Sequence, residues 1–404
     1  MAQQHGQEQG EHSAHGEQAA DENKLIAERR AKLARVRAGG QAFPNDYRRD
    51  ALAGELHAAF GERASDWLDA NPARVRVGGR ILLKRVMGKA SFAQIADRTG
   101  RIQLYLKQDV LGPAYEEFKG LDVGDIVGAA GVLFRTRAGE LSVKVESLRL
   151  LVKSLRPLPD KWHGLADTEL RYRRRYVDLI VNEASVQVLR TRARIVRYLR
   201  DFLDALDFLE VETPMMHVIP GGAAARPFVT HYNALDADMY LRIAPELYLK
   251  RLIVGGLERV YEVNRNFRNE GLSTRHSPEF TMLELYLAYA DYRDLMDWAE
   301  KATRGLATAI HGSTRLTYQG RTYDLGQPFR RMTMEQAVLE RNPGLDRRAL
   351  RDVAALRAFC DEAGIPSQPS DGAGKLQIEI FEKTAEPHLL EPTFVHAYPA
   401  EVSP

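Results

Sequence analysis

The sequence predicts an α+β protein with two folded domains: a small all-β barrel, then a larger domain that mixes helices with strands. Three observations lead there. Residues 74–152 hold five short strand-like runs separated by turns. A Pro-containing connector, KSLRPLPDKWHGL, follows at 153–165. Beyond it, amphipathic helical patterns alternate with strand-like runs. A chain of 404 residues has room for two or three domains. With 44% hydrophobic and 28% charged residues, its composition is that of a globular protein. No apolar run is long enough to span a bilayer. The N-terminus lacks the basic-then-apolar pattern of a signal peptide, so a cytoplasmic protein with no membrane partner is expected. The single cysteine, Cys360, excludes an intramolecular disulfide and a Cys-based zinc cluster, and reads as a small buried apolar residue. A net charge of +2 says little about nucleic acid, so any such site must come from local patches.

The elements follow in chain order. Residues 1–20 are rich in Gln, Glu, Gly and His and predict a disordered tail; His5, His12 and His15 read as solvated rather than metal-binding. The segment 21–73 opens with a helix over 21–37. Its apolar residues are Leu25, Ile26, Leu33 and Val36, its basic ones Arg29, Arg30, Lys32, Arg35 and Arg37, and Gly39-Gly40 ends it. That helix either packs on a core or also touches nucleic-acid phosphates. In 74–152 one helix, near 109–119, separates the third strand from the fourth. Five strands with that insertion are the pattern of an oligonucleotide-binding (OB) barrel. Such barrels stack aromatic side chains on single-stranded bases and hold the backbone with basic ones. Arg85, Phe92 and Gln103 are the candidates here, with barrel core as the other reading of Phe92. A linker occupies 153–166. The domain at 167–404 opens with a basic helical stretch (Arg171, Arg173, Arg174, Arg175) and an amphipathic helix over 183–206. Within 313–375 the sequence shows a hairpin, LTYQGRTYDLG, and helical patterns near 334–339 and 348–363, with no assignable chemistry.

Residues 259–286, RVYEVNRNFRNEGLSTRHSPEFTMLELY, set Arg265, Arg268, Arg275, Glu270, Glu279 and Glu284 among strand formers. FRNEG followed by RHSPEFTMLELY closely resembles motif 2 of class II aminoacyl-tRNA synthetases, in the lysyl-type form. FLEVETPMM, residues 208–216, resembles motif 1, a helix running into a strand ended by a proline, here Pro214. MGKASF and GRIQLY in the barrel are similar to the anticodon-binding domain of the bacterial lysyl-type enzymes. The resemblance implies an antiparallel-sheet catalytic domain, a homodimer built through motif 1, and a barrel that binds tRNA(Lys). It also implies that Arg85, Phe92 and Gln103 read the central anticodon uridine and that Glu140 makes another anticodon contact.

The chemistry implied is activation of L-lysine by ATP, with Mg2+, to lysyl-adenylate, then transfer to the 3′ end of tRNA(Lys). The substrate carboxylate attacks the α-phosphate unaided, so the barrier lies in holding two anions together, which positioned cations do. An arginine fork suits both oxyanions. By resemblance Arg268 is that catalytic arginine, touching the α-phosphate and the lysine carboxylate. Glu270 accepts from the adenine amino group, Phe280 stacks on adenine and His276 meets the terminal phosphates; a structural histidine is the other reading of His276. A lysine ammonium offers three donors and needs carboxylates in a buried pocket. Glu246, Glu284 and Tyr286 stand at the family's lysine-pocket positions. A local ion pair, for Glu246 with Lys250, is the alternative. The loop PGGAAARPF, 220–228, matches the one that closes over the substrate amino group, with Gly222 supplying backbone. Two glutamates argue against the aspartyl and asparaginyl relatives, and the barrel against a paralogue that modifies a translation factor and lacks it. No motif 3 and no magnesium-binding carboxylates are recognised, so a catalytic domain incomplete at its C-terminus is expected. A truncated tRNA-binding or dimerisation module without activity is the rival reading.

Overall fold

The computed structural model describes residues 4–159, 165–271, 273–274 and 276–403, with the side chains of 4–21 excepted. Arg275 and part of the connector at 153–166 lie outside them. The chain packs as two units, Met1–Ser185 and Val186–Pro404.

The first unit begins with α1 (Gln4–Gly39), α2 (Ala53–Phe60) and α3 (Ser65–Ala70). Helix α1 starts inside the stretch expected to be disordered. Gln, Glu and Ala carry good helix propensity, and composition alone underrates them when hydrophobic content is low. Its end at Gly39 is where the glycine pair placed it. The barrel follows: β1 (Arg74–Met87), β2 (Ala90–Ala96), β3 (Arg101–Lys107), α4 (Gln108–Leu111), α5 (Pro113–Gly120), β4 (Ile126–Arg135) and β5 (Leu141–Val152). Its strands close in the order β1-β2-β3-β5-β4. Alternation makes it close. Ile81, Ala93, Ile95, Ile102, Leu104, Leu106, Val127 and Val143 all turn inward and are at most 2% exposed. Tyr115 and Phe118 of α5 are fully buried in the same core. The one helix expected between strands three and four is two, because Gly112 at φ 53 breaks the chain and Pro113 restarts it. At Gly131 the strands approach so closely that a Cβ would sit 2.0 Å from the Lys144 carbonyl oxygen, beside a register shift in β4.

Next come α6 (Thr168–Arg173), α7 (Arg175–Val181) and α8 (Glu183–Asp204). In the packing, α6 and α7 group with the first unit. These two helices are tied to each other. Buried Asp178 accepts from Arg171 at 2.8 Å, Arg175 at 2.5 Å and Asn182 at 2.6 Å.

The second unit carries β6 (Leu209–Glu210), β7 (Met216–His217), β8 (Val229–Tyr232), β9 (Ala237–Leu241), α9 (Glu246–Val254), β10 (Arg259–Phe267), β11 (Glu279–Leu287) and α10 (Tyr292–His311). Strands β10 and β11 pair antiparallel over their full length. The sheet is not purely antiparallel, for β6 joins β10 in parallel. The crossover that a parallel pair requires is the segment between the two strands, 211–258, which carries β7, β8, β9 and α9. Tyr261 of β10 fastens this corner by donating to Asp204 at 2.8 Å. The remainder is β12 (Arg315–Tyr318), β13 (Arg321–Asp324), β14 (Arg330–Thr333), α11 (Met334–Arg341), α12 (Val353–Ala363), α13 (Ala373–Ile380) and β15 (Thr393–His396). The hairpin read from LTYQGRTYDLG is β12–β13. Helices α11–α13 share their own core, in which Cys360 is fully buried as expected. Among the described residues no helix is long and apolar enough to cross a membrane.

Candidate active site and nucleic-acid cleft

Two sites emerge, one in each unit. In the second unit, β10 and β11 hold the central residues. The pairing sets Asn266 opposite Phe280 and Glu262 opposite Glu284. Arg268 leaves β10 at the start of the connecting loop. Its amide donates to the Pro278 carbonyl at 2.9 Å, so both loop ends are fixed. Its guanidinium lies 5.3 Å from the centre of the Phe280 ring. Its Nε is buried without a hydrogen-bond partner among the described residues. A buried cationic donor left unpaired is costly, and an anion arriving there would remove that cost. Glu270 is exposed in the same loop and lines a cavity of about 460 Å³ with Ala224, Ala225, Arg226, Asn269 and Gly271. The Asn269 amide donates to the Arg226 carbonyl at 2.7 Å, which joins the two loops. His276 is exposed and pairs with the Ser273 hydroxyl at 3.2 Å.

The four residues expected to hold a lysine side chain and amino group form one cluster. Gly222 has φ +90, and a Cβ there would meet Glu246 Cβ at 3.0 Å. Only glycine lets the loop approach α9 this closely. Glu246 opens α9, half-buried. It accepts from Lys250 at 2.5 Å, the ion pair considered as its alternative role. Glu284 accepts from the Tyr286 hydroxyl at 3.3 Å. Burial pushes the Glu284 carboxyl up from the ordinary glutamate value, and the Glu246 charge adds to the rise. Burial and the neighbouring Glu284 push the Tyr286 phenol up in turn. Such a pocket favours a cation, whose charge would offset the repulsion between its two carboxylates.

Beneath the cluster lies a network that sequence reading missed. Arg242 is fully buried; it donates to Glu262 at 2.7 Å and to the Arg265 carbonyl at 2.8 Å. Glu262 also accepts from the Thr213 hydroxyl at 2.6 Å. These three residues are far apart in sequence and belong to no recognisable string, so pairing alone reveals them. Among the described residues no group of three or more His, Cys, Asp and Glu is arranged to hold a metal ion.

In the first unit, one cleft of about 860 Å³ is lined by Arg85, Phe92, Gln103 and Glu140, all four expected there. Arg85 and Phe92 are partners across β1 and β2, and Phe92 and Tyr105 across β2 and β3. Phe92 is half-buried, while its neighbour Ala93 faces the core, so Phe92 belongs to the outer face. Tyr105 and Phe134 extend it into a row, with ring centres 5.0 Å and then 5.4 Å apart. The period-2 pattern of RIQLYLK puts Tyr105 on the face of Gln103 and is the signal that could have found it. Gln103 donates to the Ser142 hydroxyl at 3.0 Å. Arg135 ties the rim by donating to the carbonyls of Gly61 at 2.6 Å, Arg63 at 3.0 Å and Gly139 at 2.5 Å.

Comparison with known proteins identifies both kinds of domain. Residues 167–404 match the model of class II tRNA synthetases (D, K and N), and residues 75–151 match that of the OB-fold nucleic acid binding domain. The chain is 59% identical over 389 residues to the lysine–tRNA ligase of Thioalkalivibrio sulfidiphilus, covering 96% of this chain and 78% of that one. It is 59% identical to that of Xanthomonas campestris pv. campestris and 57% identical to that of Idiomarina loihiensis. Each of those matches covers 95% of this chain and 77% of the relative.

Proposed function

The chain belongs to the class II tRNA synthetases of the D, K and N group, and from that premise we propose that it is a lysine–tRNA ligase. It activates L-lysine with ATP to lysyl-adenylate, expelling pyrophosphate, and transfers the lysyl group to the 3′ end of tRNA(Lys), releasing AMP. The observation that carries the lysine assignment is the half-buried carboxylate pair Glu246 and Glu284, set beside Gly222 and Tyr286. An aspartate or asparagine side chain in that cluster would face two like charges or leave them unpaired.

Arg268 receives the α-phosphate and the lysine carboxylate. Its Nε, without a partner among the described residues, and its place over the Phe280 ring support that role. Phe280 and Glu270 take the adenine, and His276 the outer phosphates. Backbone around Gly222 takes the substrate amino group. Bound with ATP, Mg2+ would neutralise charge on the phosphates, its common mode of binding. Arg85, Phe92, Gln103 and Glu140 hold the anticodon in the barrel cleft, and the protein works as a cytoplasmic homodimer.

Pyrophosphate exchange tests the reading directly. Exchange into ATP should depend on lysine and stay silent with aspartate or asparagine. Exchange driven by either of those, or none with lysine, would overturn the assignment.

A further inference from the structure

Lys250 stands on α9 one turn beyond Glu246. Its ammonium lies 2.5 Å from Glu246 Oε1 and 6.0 Å from the centre of the Tyr286 ring. On an open helix surface such a pair contributes little. Here it joins two residues of the pocket. The two oxygens of Glu246 are divided between different surroundings: Oε1 is taken by Lys250, while Oε2 faces the Gly222 loop, 3.7 Å from where a Cβ of that glycine would be.

We propose that Lys250 is a positioning residue of the lysine pocket, which fixes Glu246 through Oε1, leaves Oε2 to the substrate ammonium, and balances the charge of the pocket to suit one cation. The inference rests on the lysine-pocket reading above.

Charge complementarity supports it. Among the described residues, the groups that act on Glu284 are Glu246 on α9, Tyr286 on its own strand, Glu262 across on β10, and Arg242 ahead of α9. Arg242 and Glu262 neutralise each other at 2.7 Å. Among the described residues two carboxylates and the Lys250 ammonium remain, a set that one further ammonium makes neutral. Without Lys250 the full field of Glu246 would fall on Glu284. That carboxyl is already pushed up, first by burial and then by Glu246. It would then hold its proton to higher pH, and a protonated Glu284 no longer balances a cation.

Lysine binding measured by calorimetry between about pH 4.5 and 8, a range that brackets an upshifted glutamate, tests this in the wild type, Lys250→Met and Lys250→Arg. The side chain of Lys250 is 56% exposed, so both variants should melt as the wild type does. At neutral pH the Met variant should bind lysine roughly two- to fivefold more weakly, the worth of a partly exposed pair. The acid limb of its binding curve should move to higher pH, and Arg should restore both. Unchanged affinity and acid limb overturn the proposal. So does tighter binding, which would make Lys250 a competitor for Glu246, and so does an Arg variant that restores neither readout. A wild type that binds no lysine would overturn the pocket reading itself, and this inference with it.

Discussion

Arg268, Glu284 and Phe92 each combine partial burial with a chemical need that the protein does not itself meet. Arg268 has a donor without a partner among the described residues, Glu284 a charge that burial disfavours, and Phe92 a half-buried ring in a row of aromatics. For Glu284 two outcomes follow. Glu284→Gln should weaken lysine binding by about 2 kcal/mol, the lower end for a hydrogen-bonded charge pair because the site is half open. The wild-type pH profile has a definite sign. The Glu284 pKa is raised, so below it the carboxyl is neutral and lysine affinity falls as pH drops through that value. The fall should begin above the ordinary glutamate range and disappear in the Gln variant; an identical acid limb in both proteins would exclude Glu284 as its source. In the barrel, Phe92→Ala should weaken binding of a lysine-tRNA anticodon stem-loop by roughly 1–3 kcal/mol, the range for a stacked base, while leaving lysine binding alone. Equal loss of both would make Phe92 a packing residue. At this scale the sequence was readable where residues stand in contiguous strings, as Arg268, Glu270 and Phe280 do. It was silent on Arg242, Glu262 and Thr213, because their association depends on strand register and on no local pattern.

The elements were legible where local physics decides them. All five barrel strands fall within a residue or two of the alternating runs, since one buried face and turn residues fix them. The split of α4 from α5 turns on one glycine with positive φ, which a hydrophobic pattern does not report. The parallel pairing of β6 with β10 is tertiary, and two residues of strand carry no parallel or antiparallel signature. Caps give the element scale a measurable test. Thr333 accepts from the Gln336 amide at 3.1 Å, and the Gln336 side chain accepts from the Thr333 amide at 2.8 Å. This reciprocal pair opens α11, whose Met334, Ala337 and Val338 are buried in the core shared with α12 and α13. Thr333→Ala should cost about 1 kcal/mol in denaturant unfolding. Thr333→Ser should cost much less, because the hydroxyl remains. If Ser destabilises as much as Ala, the lost methyl packing rather than the cap is responsible.

At the scale of the whole molecule, domain identity was legible and packing boundaries were not. The connector's prolines mark where the barrel ends, while α6 and α7, which Asp178 ties to each other, pack with the first unit, so the compact division comes later. Large apolar side chains left open in the second unit bear on the proposed homodimer. Val188 and Leu189 of α8, Leu209 of β6, and Met216, Val218 and Ile219 around β7 are each between 49% and 75% exposed. Leu209 and Met216 lie in the segment resembling motif 1, Val218 and Ile219 follow it, and Val188 and Leu189 stand on the helix that precedes it. Single exposed apolar residues are ordinary, but this many within one short stretch of chain suits a surface covered by another copy. A stable dimer buries about 1,600 Å² in total, with an apolar centre intolerant of unpaired charge. The wild type should therefore sediment as a dimer at micromolar concentration. A double variant, Val188→Glu with Ile219→Glu, should sediment as a monomer. Both side chains are exposed, 67% and 75%, so the fold of each protomer should survive, and circular dichroism should remain that of the wild type. A monomeric wild type would remove the homodimer from the proposal. A variant that stays dimeric would leave the dimer standing and move its interface away from this stretch of chain.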